Sequence, residues 1–106
     1  MIFCCAKHGA GQGALVSPTL ARRIARRFPI STKDYVKIEY EYESEIIDAY
    51  YLDRETAANF GFLESQRLSL PDDYPDYATE ARPVCARCFT EAVGLSGEKD
   101  ERIYLG

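Results

Sequence analysis

Two short motifs at opposite ends of the chain constrain its fold more than anything between them. Cys5-Ala-Lys-His8-Gly9 and Cys85-Ala-Arg-Cys88 each set two metal-ligand residues with two residues between them. That spacing lets a tight turn aim both donor atoms at one ion while its backbone amides face the sulfur. Gly9, directly after the second ligand, suits a turn residue with positive φ. Together the pairs supply four soft or borderline donors, the closed tetrahedral set of structural zinc. The expected ligands are therefore Cys5, His8, Cys85 and Cys88, and the expected cofactor is Zn. The ion would tie the two ends of the chain together, where a cross-link removes much unfolded-state entropy. Cys4 could stand in for Cys5, but Cys4-x-x-x-His8 is the poorer knuckle spacing. Strand alternation with Cys5 points Cys4 toward the core.

With 106 residues the chain has room for one domain, 1–106, and a modest core that a metal or a partner would help to stabilise. No apolar stretch is long enough to cross a membrane. Met1–Ala6 lacks the basic start and long apolar run of a signal peptide. A cytoplasmic location is expected, and in that reducing compartment four cysteines read as ligands, not disulfides.

Local patterns predict an α+β fold: a small mixed or antiparallel sheet, two to three short helices, and the zinc knuckle pair joining the chain ends. Met1–Cys5 reads as a short strand, Ala6–Gly13 as a glycine-containing loop, and Ala14–Val16 as a second strand. Ser17-Pro18 is a helix start, with Ser17 available to accept an amide hydrogen bond. The helix should run to Phe28 and stop at Pro29, burying Leu20, Ile24 and their neighbours and exposing Arg22, Arg23, Arg26 and Arg27. Tyr35–Glu43 alternates as a strand and should pair antiparallel with Ile46–Leu52 through a turn near Ser44. Asp53 should cap a helix over Arg54–Phe60 that Gly61 ends. Phe62–Leu70 leans to a strand and Pro71–Pro83 to an acidic loop. Phe89–Val93 reads as a helix stopped at Gly94, and Arg102–Leu105 as an edge strand.

Charge is segregated along the chain. Residues 1–37 hold seven Lys/Arg against one Asp, and residues 38–80 hold twelve Asp/Glu against two Arg. Either the basic helix and the acidic strands pair within the fold, or one of the two faces meets a charged partner. Arg22–Arg27 could contact nucleic-acid phosphates, but a chain of net charge −4 argues against that reading. Gly9-Ala-Gly11-Gln-Gly13 is neither a dinucleotide fingerprint nor a P-loop and reads as turn glycines. An enzyme is not expected. A closed Cys/His site has no open position for substrate, and the sole histidine is committed to it.

Cys5–Gly9, Val16–Leu20 and Val84–Glu91, read as Cys-x-Lys-His-Gly, Val-Ser-Pro-x-Leu and Val-Cys-x-x-Cys-Phe-x-Glu, resemble small bacterial proteins of the immunity type. The resemblance implies a non-enzymatic inhibitor that neutralises a toxin by binding it; the acidic stretches make a basic toxin or nuclease the expected protein partner. Two acidic stretches suit that role. Glu39, Glu41 and Glu43 should lie on one side of a strand, and Asp72, Asp73 and Asp76 in the acidic loop. Such carboxylates can mimic nucleic-acid phosphates in a basic cleft. The alternative is a nucleic-acid-binding zinc module using the Arg-rich helix.

Overall fold

The computed structural model describes residues 2–69, 71, 75–100 and 103. Strand β1 (Ile2–Cys5) turns through Ala6–His8 into β2 (Gly9–Val16), and helix α1 (Pro18–Ala25) follows. Strands β3 (Tyr35–Tyr42) and β4 (Glu45–Asp53) form a hairpin, and β4 leads into α2 (Arg54–Asn59). Then come β5 (Gln66–Ser69), α3 (Asp76–Glu80), β6 (Arg82–Cys85) and α4 (Ala86–Leu95). Among the described residues the fold is therefore α+β, with a six-stranded mixed sheet and four helices, two of them single short turns.

The strand order is β1-β2-β4-β3-β5, with β6 also paired to β2. β2 is the organising strand. Its first half pairs antiparallel with β1, from Cys5↔Gly9 to Ile2↔Gln12. Its second half takes β6 antiparallel, from Gly13↔Cys85 to Val16↔Arg82, and β4 parallel at Leu15↔Tyr50 and Val16↔Tyr51. This register sets the Ala6–His8 turn and the β6–α4 junction side by side.

Alternation along the strands divides the apolar residues between the two faces of the sheet. Val16, Tyr35 and Tyr51 join Leu20, Ile24 and Phe89 in one core, under α1 and α4. Val36, Ile38, Tyr40, Tyr50 and Leu52 join Ala57 and Tyr77 in a second, under α2 and α3. Edge-to-face aromatic contacts, such as Tyr51 on Phe89 at 5.1 Å and Tyr50 on Tyr77 at 5.6 Å, fill both.

Several local expectations hold. The β3–β4 turn is the two residues Glu43 and Ser44, with φ of 50° and 68°, the backbone a tight hairpin requires. Asp53 caps α2 by accepting from the Thr56 amide at 3.2 Å, and Gly61 follows that helix at φ 84°.

Others are corrected. The stretch expected as a loop at 6–13 is mostly strand, because pairing with β1 satisfies the backbone of Gly9, Gly11 and their neighbours. α1 ends at Ala25 rather than Phe28. Arg27 adopts φ 57°, its amide donates to the Ile24 carbonyl, and the Phe28 amide donates to the Arg23 carbonyl. That is a Schellman closure, complete before Pro29 can act. Phe28 is accordingly 54% exposed. The expected strand at Phe62–Leu70 shortens to Gln66–Ser69 among the described residues. The expected acidic loop contains α3 and the start of β6, and Pro83 is accommodated in that short strand. α4 begins at Ala86 and passes through Gly94 to Leu95. The edge strand expected at Arg102–Leu105 lies outside the described residues except for Ile103, which is buried in the first core.

Ser17 stands at the N-cap of α1, but its hydroxyl does not cap that helix. It donates to Asp53 Oδ1 at 2.6 Å and accepts from the Asp53 amide at 3.1 Å. The starts of α1 and α2 are thus joined by one buried pair of side chains. Burial works against the Asp53 carboxylate, but hydrogen bonds from Ser17 and Thr56 outweigh it and hold the group below the ordinary Asp range. Because the folded-state value is depressed, its contribution is present above the unfolded Asp value of about 3.9 and lost as pH falls through the folded value. Asp53→Ala removes the cap and leaves Ser17 buried without its acceptor. It should cost about 2–3 kcal/mol in denaturant unfolding at neutral pH, and the cost should shrink toward acid.

Candidate metal centre

Four side chains converge where the two chain ends meet. Cys5 ends β1, His8 closes the turn after it, Cys85 ends β6, and Cys88 lies in the first turn of α4. Their ligating atoms all lie within 4.8 Å of one another. His8 Nδ1 is 3.6 Å from Cys5 Sγ, 3.5 Å from Cys85 Sγ and 3.5 Å from Cys88 Sγ. Cys5 Sγ and Cys88 Sγ are 3.6 Å apart. All four cysteines are free thiols.

These separations discriminate between chemistries. A disulfide needs about 2.05 Å between sulfurs. A tetrahedral ion with bonds of about 2.3 Å to sulfur and 2.0–2.1 Å to nitrogen sets S···S edges of about 3.8 Å and S···N edges of about 3.5–3.6 Å. The three S···N edges match that tetrahedron, the Cys5–Cys88 edge lies close to it, and the imidazole nitrogen is nearly equidistant from three sulfurs. The donor set Cys5, His8, Cys85 and Cys88 can hold a metal ion, and it joins the chain ends as the sequence leads one to expect.

The thiols differ sharply. The His8 and Lys7 amides facing its sulfur bring Cys5 down to about 6. Burial, reinforced by neighbouring Cys5 and Cys85, pushes Cys88 up to about 12. One thiolate is therefore readily formed from the protein's own groups, whereas three thiolates packed together require a cation between them.

Two further residues support the cluster. His8 Nε2–H donates to Glu91 Oε1 at 3.0 Å, which fixes the tautomer and leaves the Nδ1 lone pair facing the sulfurs, available to ligate a metal ion. Lys7 donates to Glu91 at 3.0 and 3.3 Å. Hydrogen bonds from Lys7 and His8 hold the Glu91 carboxyl below its ordinary range. The role of Glu91 was missed by sequence reasoning. The available signal was its place three residues after Cys88, one helical turn on, on the side of α4 that faces the first knuckle.

Cys4 is exposed and outside the cluster, contrary to the expectation that it points to the core. Along β1 the inward positions are Phe3 and Cys5, so the outward ones are Ile2 and Cys4.

The acidic residues are not gathered into one surface. Glu39 lies on the α1/α4 side of the sheet, within 3.9 Å of both Lys37 and Arg67. Glu41 is half-buried beyond the register shift in β3, and Glu43 is exposed in the turn rather than on the strand. Asp76 begins α3, which packs on the opposite side of the sheet. Asp72 and Asp73 lie outside the described residues. Among the described residues no ion pair joins Arg22, Arg23, Arg26 or Arg27 to the strand carboxylates. No helix is long and apolar enough to cross a membrane.

No protein-family model, curated protein or solved structure matches this chain.

Glu91→Ala should lower Zn²⁺ affinity about 10- to 100-fold in competition with a chromophoric chelator, without changing the stoichiometry. Cys4→Ser should leave both unchanged. Loss of the metal in Cys4→Ser would mean that the first knuckle uses the other cysteine.

Proposed function

We propose that the protein is a zinc-stabilised, non-enzymatic binding protein whose acidic β3–β4 hairpin docks a basic protein partner, as in toxin-neutralising immunity proteins. The zinc assignment rests on the Cys3His donor set and its tetrahedral edges. Three thiolates and one imidazole form a closed structural set, which supplies a cross-link and leaves no position for substrate. Bound there, zinc would hold the first hairpin against the β6–α4 junction.

The observation that carries the binding role is the end of the β3–β4 hairpin. Glu43 and Glu45 are exposed, with Tyr42, Ile46 and Ile47 at 58%, 40% and 49% exposure among them. Carboxylates interleaved with exposed aromatic and aliphatic side chains suit an interface that is steered by charge and held by apolar contact. Glu39, engaged by Lys37 and Arg67, contributes less; half-buried Glu41 and exposed Glu43 and Glu45 are the acidic residues offered. The arginines of α1 do not neutralise them, which weighs against the reading of one internally paired charge system.

The second reading, a nucleic-acid-binding zinc module, has one observation in its favour. Arg22, Arg23 and Arg26 line a hollow of about 410 Å³ with exposed Phe28. The excess of acidic residues over the whole chain opposes it.

The test is co-expression with the product of the adjacent upstream gene, scored for relief of growth inhibition. Relief should be lost in Glu41→Lys/Glu43→Lys while the melting temperature stays within a few degrees of the parent protein. Association should slow most at low salt. Unchanged relief in that variant would remove the hairpin from the interface. Tight, steeply salt-dependent binding to DNA or RNA, abolished by replacing Arg22, Arg23, Arg26 and Arg27, would put the second reading first.

A further inference from the structure

An open apolar groove of about 860 Å³ runs between α1, β6 and α4, within the range of about 300–1,000 Å³ typical of small-molecule sites. Phe3, Ala21, Ile24, Val84, Ala92 and Leu95 supply its apolar lining. Leu95 is 58% exposed, so part of this lining meets water in the free protein. The metal-ligand cysteines Cys5, Cys85 and Cys88 also border the groove. Lys7, at that border, is already held by Glu91.

The remaining cations are placed differently. Arg22, Arg27 and Arg82 line the groove and are exposed. Arg82 pairs with Val16 at the end of β6 away from Cys85. Among the described residues no carboxylate forms an ion pair with any of the three. That is unexpected in a chain with 17 acidic and 13 basic residues. An occupant that matches this groove needs an apolar body and an anionic head. A nucleic-acid backbone would place phosphates and sugars over a lining that offers them few partners. A neutral hydrocarbon would leave the guanidinium groups unused. A carboxylate fits their planar, two-pronged donor geometry.

We propose that this groove binds a single-chain amphiphile, its alkyl chain laid along α1, β6 and α4 and its carboxylate held by the arginines at the mouth. The site goes beyond the hairpin interface proposed above and uses none of its residues, so either can fail without the other.

Calorimetric titration of the full-length, metal-loaded protein with dodecanoate, below its micelle concentration, tests the proposal. One site per chain is expected. Dodecan-1-ol should bind at least tenfold more weakly, as should dodecanoate to Arg22→Glu/Arg82→Glu. Ala25 lines the groove and is exposed, so Ala25→Trp should fill the groove and abolish binding without loss of fold. Amide shifts of Ala21, Val84 and Ala92 in the parent protein should report the same site independently of any variant. Absence of binding, equal affinity for the alcohol, or undiminished affinity in either variant would overturn the proposal. So would binding to phosphatidylglycerol vesicles that persists in Ala25→Trp, which would place the anionic chemistry on a membrane surface instead.

Discussion

The structure turns on three sulfurs and one imidazole nitrogen gathered within 4.8 Å of one another. Without a cation that arrangement is costly, since burial opposes ionisation of Cys88 and like charges would crowd Cys5 and Cys85. With a divalent ion at the centre, the same crowding becomes coordination. The four side chains come from the first eight residues and from the β6–α4 junction, so an ion bound there would close residues 5–88 into a loop. In a chain of 106 residues, whose apolar residues are split between two cores, such a link would be a large share of the stability.

The rest of the architecture serves that closure. β2 carries β1 on its first half and β6 on its second, which delivers the two knuckles to one place. The buried Ser17–Asp53 pair fixes the point where β2 and β4 release α1 and α2. Glu91 and Lys7 then lock the imidazole from outside. The helices that cover the metal side of the sheet leave an apolar groove between them. The tip of the β3–β4 hairpin carries exposed acids with Tyr42 and two isoleucines. A scaffold with two unlike surfaces is the arrangement this produces.

Much of this was legible from residues that act locally. Each ligand pair is a four-residue motif, so Cys5, His8, Cys85 and Cys88 could be read without knowing the path between them. The β3–β4 hairpin and the Asp53 cap were legible for the same reason. What could not be read depended on pairing across the chain. Gly9–Gly13 has loop composition, and only its register with β1 makes it a strand. Arg82–Cys85 has a proline and four residues, and only β2 makes it one. Asp53 draws the Ser17 hydroxyl away from the helix end it was expected to cap. Glu91 needed Lys7 and His8 brought to it across the fold before it had a role.

X-ray absorption at the zinc edge, on protein purified without added metal, tests the central claim most directly. The account predicts one zinc per chain with three sulfurs at about 2.3 Å and one nitrogen at about 2.0–2.1 Å. A folded, metal-free protein, or a shell with water or carboxylate oxygen in place of one of the four donors, would contradict it.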